Sequence, residues 1–467
     1  MNPKTTQACI ERLWEGEILP ALHDYVRIPA QSPLFDPDWE QSGHIEAAVM
    51  LAHDFVQKRA FPGARLEVLR LPKRTPVLFL ELPGTKQGTV LLYGHLDKQP
   101  PFDGWREGLG PWTPVVENGL LYGRGAADDG YAVFASCAAL QALQEQGTAH
   151  PRIVALIECS EESGSPDLPL YMDAFAEKIG SPDLVIGLDS GCGDYERLWA
   201  TTSLRGIVAG NLRVDVLREG VHSGDASGIV ASSFRILRMV LDRLEDPQTG
   251  AILPAGLHVE IPAERLEQAL SAASILGDGI ETKFPFVAGM TPISTDPAEL
   301  ILNRTWRPAL SITGASGLPP VERAGNVLRP YTTAKLSLRI PPTLDSTEAT
   351  AALKAVLERD PPYGAHVHFE LEHPAQGWAA PPTAPWLGEA LEAASRDFYG
   401  HPPCGMGEGG SIPFMAMLGQ RFPKAQFLIT GVLGPHSNAH GPNEFLHIAC
   451  AKQLSCAVAH VIAAMPG

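Results

Sequence analysis

An α/β protein with a mostly parallel central sheet, helices on both faces and a smaller α+β unit inserted in the chain is the fold class this sequence predicts, on three observations. Short continuous apolar runs such as "GTVLLYGH" and "HPRIVALIECS" have the form of buried parallel strands. Helix-patterned stretches such as "GYAVFASCAALQALQEQG" lie between those runs, the alternation that builds a parallel sheet. From about Leu204 the texture changes, and "AKLSLRIPP" and "HVHFELE" alternate strictly, as half-exposed strands do.

In chain order, "MNPKTTQACIERLWEGEILP" has no apolar core of a signal peptide and reads as a polar-capped helix. Helix-like and strand-like segments alternate from about Gln7 to Ala149, and "SPDLVIGLDSG" and "KAQFLITGVLG" repeat the buried-strand form further on. "GIVASSFRILRMVLDRLED" reads as one amphipathic helix of the inserted unit. After about Trp378 the buried-run style returns with the helix "WLGEALEAASRDFYG". The expected division is therefore 1–203 and 378–467 for the first domain, with 204–377 inserted.

At 467 residues the chain exceeds the size at which one core stops growing, which fits two domains. A formal charge of -17 argues against nucleic acid and anionic membrane as partners and favours small molecules or cations. Seven cysteines with no CxxC pair suggest neither a disulfide framework nor a zinc ribbon, and a cytoplasmic setting is the simplest expectation. No window approaches 18 uninterrupted apolar residues, so no membrane span is expected.

Four apolar runs lead into the same kinds of residue. His95 and Asp97 follow "TVLLYG", Glu161 and Glu162 follow "IVALIECS", Asp189 follows "LVIGL", and His440 sits in the loop beyond "FLITGVLG". The carboxyl ends of strands form the ligand crevice of an open α/β sheet, so these side chains can converge. Each has a plainer reading alone: a structural histidine, a tautomer-fixing His-x-Asp pair, a turn aspartate, a solvated loop. Asp128 and Asp129 in "GRGAADDG" read equally as helix caps. Two adjacent glutamates each raise the cost of ionising the other, which calls for positive charge nearby.

If these groups share one site, two Zn²⁺ ions bring +4, and Asp128, Glu162 and Asp189 as ligands bring -3 beside neutral His95 and His440. The remaining +1 suits a bridging hydroxide. Imidazole and carboxylate ligands match zinc, cobalt or manganese, and the lack of thiolates points to a catalytic rather than a structural site.

The motifs "GHLDKQP", "GRGAADDG", "SEESGS", "LDSG", "VHSG", "GEGGSIP" and "HGPNE", in this order, resemble the co-catalytic di-zinc exopeptidase family. That family includes carnosinase-like dipeptidases, aminoacylases, glutamate carboxypeptidase, acetylornithine deacetylase and succinyl-diaminopimelate desuccinylase. The resemblance implies a phosphorylase/hydrolase-like catalytic domain and makes the insert a lid and dimerisation domain. It implies two zinc ions per chain, with Co²⁺ or Mn²⁺ as substitutes. His95, Asp128 and Asp189 would hold one and Asp128, Glu162 and His440 the other. Glu161 matches the general base and Asp97 the acid that orients His95, with a cis peptide between Asp128 and Asp129. His222 matches a histidine that crosses to the partner's active site in a homodimer. Asn326, Arg339, Gly410 and Ser411 match substrate-binding groups, although a solvated strand face also accounts for Arg339.

The implied function is hydrolysis of an amide bond in a small peptide by a hydroxide that two zinc ions and a glutamate base activate. The alternatives are an N-acyl-amino-acid deacylase or a carboxypeptidase on the same metals, or a non-catalytic binding member. Four positions depart from the family pattern: Gly407 where arginine is common, Lys98 and Gln99 where small apolar residues are usual, and Gly130 where lysine is frequent.

Overall fold

The computed structural model describes residues 1–467, the side chains of His373 and Pro413 excepted. The chain divides into two compact units. One comprises Met1–Thr202, Ala380–Met406 and Met417–Gly467, and the other Ser203–Ala379 and Gly407–Ala416.

The first unit is built on a mostly parallel sheet. Its strands are β1 (Arg65–Leu69), β2 (Val77–Leu82), β3 (Thr89–His95), β4 (Arg152–Glu158), β5 (Leu184–Gly187) and β6 (Gln426–Ile429), in the order β1-β2-β4-β3-β5-β6. β4, β3, β5 and β6 run parallel, while β2 is antiparallel to both of its neighbours. The continuous apolar runs have a simple cause, because both faces of the sheet are covered. Val90, Leu92, Ile153, Ala155, Ile157 and Ile186 face a core shared with the helices Pro3–Leu13, His44–Lys58, Tyr131–Glu145 and Ile448–Ala464. The alternating Phe79, Leu91, Tyr93, Val154, Leu156 and Val185 are equally buried. On their side Lys178, from the helical turn Ala176–Ile179, lies 5.8 Å from the centroid of the Phe79 ring. With no exposed face, these strands have no polar alternation to show.

The second unit carries a four-stranded antiparallel sheet in the order Ala309–Ser316, Tyr331–Ile340, Gly206–Asp215, His366–Ala375. Here alternation is strict, since Val208, Leu212, Val214, Leu336, Leu338 and Ile340 face a core closed by the helices Ser233–Leu241 and Ser346–Glu358. The first of these helices is shorter than the sequence pattern suggests. Ser232 accepts a hydrogen bond from the Arg235 N–H at 3.2 Å and so starts the helix at Ser233 rather than near Gly228.

The stretch 407–416 clusters with the second unit, although its place in the sequence suggested the first. Its hydrogen bonds supply the reason: Ser411 Oγ donates to the Arg205 carbonyl at 2.6 Å, and Arg205 Nε donates to the Gly409 carbonyl at 3.2 Å. The seven cysteines are buried and none is in a disulfide, and among the described residues no helix is long and apolar enough to cross a membrane.

Candidate metal centre

Three adjacent strands deliver acidic and imidazole side chains to one edge of the sheet. β3 ends at His95, β4 runs into the turn Glu161–Ser163, and β5 is followed by Asp189. β3 lies between β4 and β5, so the order in which the chain adds strands reverses there, and ligands bind in the crevice at such a point. Asp128 enters from the turn before helix Tyr131–Glu145, and His440 from the loop before the short strand Phe445–His447. Neither Asp128 nor Asp129 caps that helix, whose N-cap is Gly130, and the peptide bond between the two aspartates is cis.

Two clusters result, and Asp128 belongs to both. His95, Asp128 and Asp189 bring one ligand-type atom each within 4.8 Å of one another, and so do Asp128, Glu162 and His440. Asp128 Oδ1 lies 3.4 Å from His95 Nε2, while Oδ2 lies 3.0 Å from His440 Nε2. One carboxylate therefore offers an oxygen to each cluster. Asp189 Oδ2 is 3.8 Å and Glu161 Oε2 4.0 Å from His95 Nε2, and Glu162 Oε2 is 3.3 Å from His440 Nε2.

Asp97 is placed differently from a simple partner of His95. The nearest acceptor to His95 Nδ1 is the Asp97 backbone carbonyl at 3.0 Å, and its carboxylate Oδ1 is 3.5 Å away. The two carboxylate oxygens accept the N–H groups of Glu161 at 3.1 Å and Glu162 at 3.0 Å. Asp97 thus holds the turn that carries both glutamates as well as the ring of His95. His95 Nδ1 accordingly donates, and a neutral ring would present the Nε2 lone pair to a cation.

The electrostatics of this set suit a cation. His95 Nε2 and Glu162 Oε1 are buried without a hydrogen-bond partner, and the carboxylates gathered around them call for positive charge at this point. Burial raises the Glu161 carboxyl well above the usual range, with the Asp189 charge adding to it; burial and then Asp128 do the same to Glu162. Burial pushes Asp189 up to about 7. Burial also acts to raise Asp128, but the His440 and His95 imidazoles beside it outweigh that and lower it. The Asp128 contact lifts His440 to about 9. Among the described residues, the ion-pair partners of Asp128, Asp189, Glu161 and Glu162 are these two histidines alone. The carboxylate and imidazole donors fit zinc, cobalt or manganese.

Some residues that hold this arrangement carried no assignment from sequence. Arg124 and Glu444 form a buried ion pair at 2.7 Å. Glu444 Oε1 also accepts the N–H groups of Gly125, Ala127 and Asp128 at 3.0, 3.2 and 3.3 Å. Arg124 Nη2 donates to the Gly441 carbonyl at 2.8 Å, beside His440. His440 itself has φ +63°, a conformation that L residues adopt at a cost of about 1–3 kcal/mol and only when their surroundings hold them. Glu158, beneath the glutamate turn, accepts hydroxyl bonds from Tyr93 at 2.6 Å, Ser165 at 2.8 Å and Ser160 at 3.1 Å, and burial pushes it up to about 7. All of these lie inside or beside the recognised motifs, which was the available signal.

The departures from the family pattern have local explanations. Lys98 Nζ is buried and donates to the carbonyls of Tyr25, Val26 and Ile28 at 2.8, 3.3 and 2.8 Å. Gln99 Nε2 donates to Glu162 Oε2 at 2.6 Å. A Cβ at Gly130 would stand 2.0 Å from the Tyr25 ring, and one at Gly407 2.4 Å from Ser203 Oγ, so neither place has room for a side chain.

The remaining expected site residues belong to the second unit. His222 is exposed on a two-residue strand opposite Val327, and the Ser223 N–H donates to the Asn326 carbonyl at 2.9 Å, which makes His222 and Asn326 neighbours. Arg339 lies on the sheet face away from the core and donates to Ser411 Oγ at 3.1 Å. Gly410, next to Ser411, has open space where a side chain would be.

Comparison with known proteins points the same way. The model of "Peptidase family M20/M25/M40" matches residues 91–464. The chain is 29% identical over 383 residues to the cysteinylglycine-S-conjugate dipeptidase of Corynebacterium striatum, covering 78% of this chain and 79% of that protein. It is 26% identical over 491 residues to the human Beta-Ala-His dipeptidase, covering 97% and 92%. Among solved structures, the Saccharomyces cerevisiae dipeptidase Dug1p aligns with a TM-score of 0.73 at 22% identity, covering 99% of this chain and 98% of that one. Human carnosine dipeptidase 1 aligns with the same TM-score, identity and coverage.

Proposed function

We propose, on the premise that this chain belongs to peptidase family M20/M25/M40, that it is a metal-dependent dipeptidase holding two zinc ions at the paired clusters around Asp128. The observation that carries the reading is that single carboxylate, with one oxygen directed to each cluster. His95, Asp128 and Asp189 would hold one ion, and Asp128, Glu162 and His440 the other, with Co²⁺ or Mn²⁺ able to replace zinc. When bound there, the ions would supply Lewis-acid chemistry, lowering the pKa of water and polarising the scissile carbonyl.

The protein's own groups do the rest. Glu161, pinned through its backbone by Asp97 and raised in proton affinity by burial, takes a proton from the attacking water and passes it to the leaving amine nitrogen. Arg339 and Asn326, with Ser411 and the open backbone at Gly410, hold the carboxylate and backbone of the substrate. His222 of a second copy donates to the developing oxyanion. A cytoplasmic setting is part of the proposal, supported by seven buried thiols without a disulfide.

The relatives are named for Cys-Gly conjugates and for β-Ala-His, so the substrate proposed here is a dipeptide of that size. Metal-free protein is expected to be inactive, and activity on a panel of Cys-Gly, its S-conjugates and β-Ala-His should return at about two zinc ions per chain. Asp128→Asn should lose both ions. Binding of zinc with no hydrolysis of any member of the panel would overturn the dipeptidase reading.

The crossed histidine has its own check. His222→Ala should lower kcat by about 10²–10³-fold, with the variant still folded and loaded with metal. Mixed with Asp128→Asn, it should regain activity if each site draws on two chains. Failure to regain any activity in a mixture shown to exchange subunits would confine His222 to its own chain.

A further inference from the structure

The two clusters around Asp128 differ in what holds their carboxylates, and the difference centres on Gln99. We propose that Gln99 is a positioning residue for the ion at Asp128, Glu162 and His440, and that it sets the affinity of that position without affecting the other. The proposal rests on the paired-metal reading above.

Glu162 is fixed at two points. Its backbone N–H donates to Asp97 Oδ2 at 3.0 Å, and its side-chain Oε2 accepts from Gln99 Nε2 at 2.6 Å. The first bond places the turn, and the second fixes the rotation of the carboxylate. Oε1 stays buried with no partner, and the side chain is only 3% exposed, so the freedom that Gln99 removes cannot be restored by water.

Gln99 is itself held in place. The backbone of the preceding residue is tied on both sides, since the Lys98 N–H donates to the Ala30 carbonyl at 2.9 Å and the Lys98 carbonyl accepts from Ser32 at 3.0 Å. The Lys98 ammonium is anchored on three further carbonyls. The amide therefore reaches Glu162 from a rigid base. An amide also suits the task chemically, because it donates to the carboxylate without adding a charge that would compete with the metal. Outer groups that orient a ligand in this way are worth about 10–100-fold in metal affinity.

The other cluster has no such dependence. His95 is oriented by Asp97, its side chain is fully buried, and Asp189 is 9% exposed. His440, by contrast, is 57% exposed at its side chain. The position that Gln99 serves is the more open of the two, and it should be the one that gives up its ion first.

The test is a competition titration of metal-free protein with Zn²⁺ against a chromophoric chelator, which resolves two dissociation constants. Gln99→Met keeps the side-chain volume and removes the donor. It is expected to weaken the lower-affinity position by about 10-fold or more and to leave the higher-affinity one unchanged. An unmoved lower affinity, or an equal fall at both positions, would overturn the role of Gln99. A wild-type chain that takes up fewer than two ions would overturn the paired-metal reading, and the proposal with it.

Discussion

Replacing Glu161 with glutamine is expected to leave both zinc ions bound and to reduce kcat by about 10²–10⁴-fold, the range that a positioned general base contributes. The split between binding and turnover follows from the geometry. Glu161 belongs to neither cluster of mutually close ligand atoms, yet its Oε2 stands 4.0 Å from His95 Nε2, at the edge of one of them. Glutamine keeps the shape, and the backbone N–H that donates to Asp97 is untouched, so the turn and Glu162 should stay where they are. What disappears is the ability to take a proton. Burial and the Asp189 charge raise the proton affinity of this carboxyl, which favours accepting a proton from water over remaining ionised. Metal content per chain and kcat, measured on the same preparation, check the result. Near-normal turnover would remove the base assignment, and loss of an ion would make Glu161 a ligand.

Part of this site is a local property of the sequence, and that part could be read in advance. A strand buried on both faces must end in a residue type compatible with the crevice beyond it, so His95 after "TVLLYG" and Asp189 after "LVIGL" stand out against their apolar neighbours. The mostly parallel sheet was legible for the same reason. The boundary of helix Ser233–Leu241 was not, because periodicity continues past the serine whose hydroxyl starts the helix. Asp97 was partly legible: its spacing from His95 suggested contact with the ring, but its bonds to the Glu161 and Glu162 backbone depend on β3 and β4 being neighbours. Pairing across the sheet is a tertiary fact that spacing along the chain does not contain. The same holds more strongly for Arg124 and Glu444, which lie 320 residues apart.

That ion pair carries the second large effect. Glu444→Gln is expected to destabilise the protein by about 3–5 kcal/mol, the usual cost of breaking one partner of a buried pair. Both side chains are almost fully buried, at 1% and 0% exposure, so the stranded guanidinium has no water to turn to. The glutamine oxygen can still accept the N–H groups of Gly125, Ala127 and Asp128, but its NH₂ then faces Arg124 Nη1, donor against donor. Arg124→Met should be costly for the opposite reason, leaving a buried carboxylate with three N–H donors and no counter-charge, and it also releases the Gly441 and Pro100 carbonyls. The double variant removes both charges while the amide keeps the three backbone bonds, so its cost should fall well short of the sum of the singles. Urea unfolding of the four proteins in metal-free form measures the coupling. Because one pair ties down both the loop bearing Asp128 and the loop bearing His440, each single variant should also bind zinc more weakly at the position these two share. Additive losses in the double variant would mean that the two side chains support their loops independently.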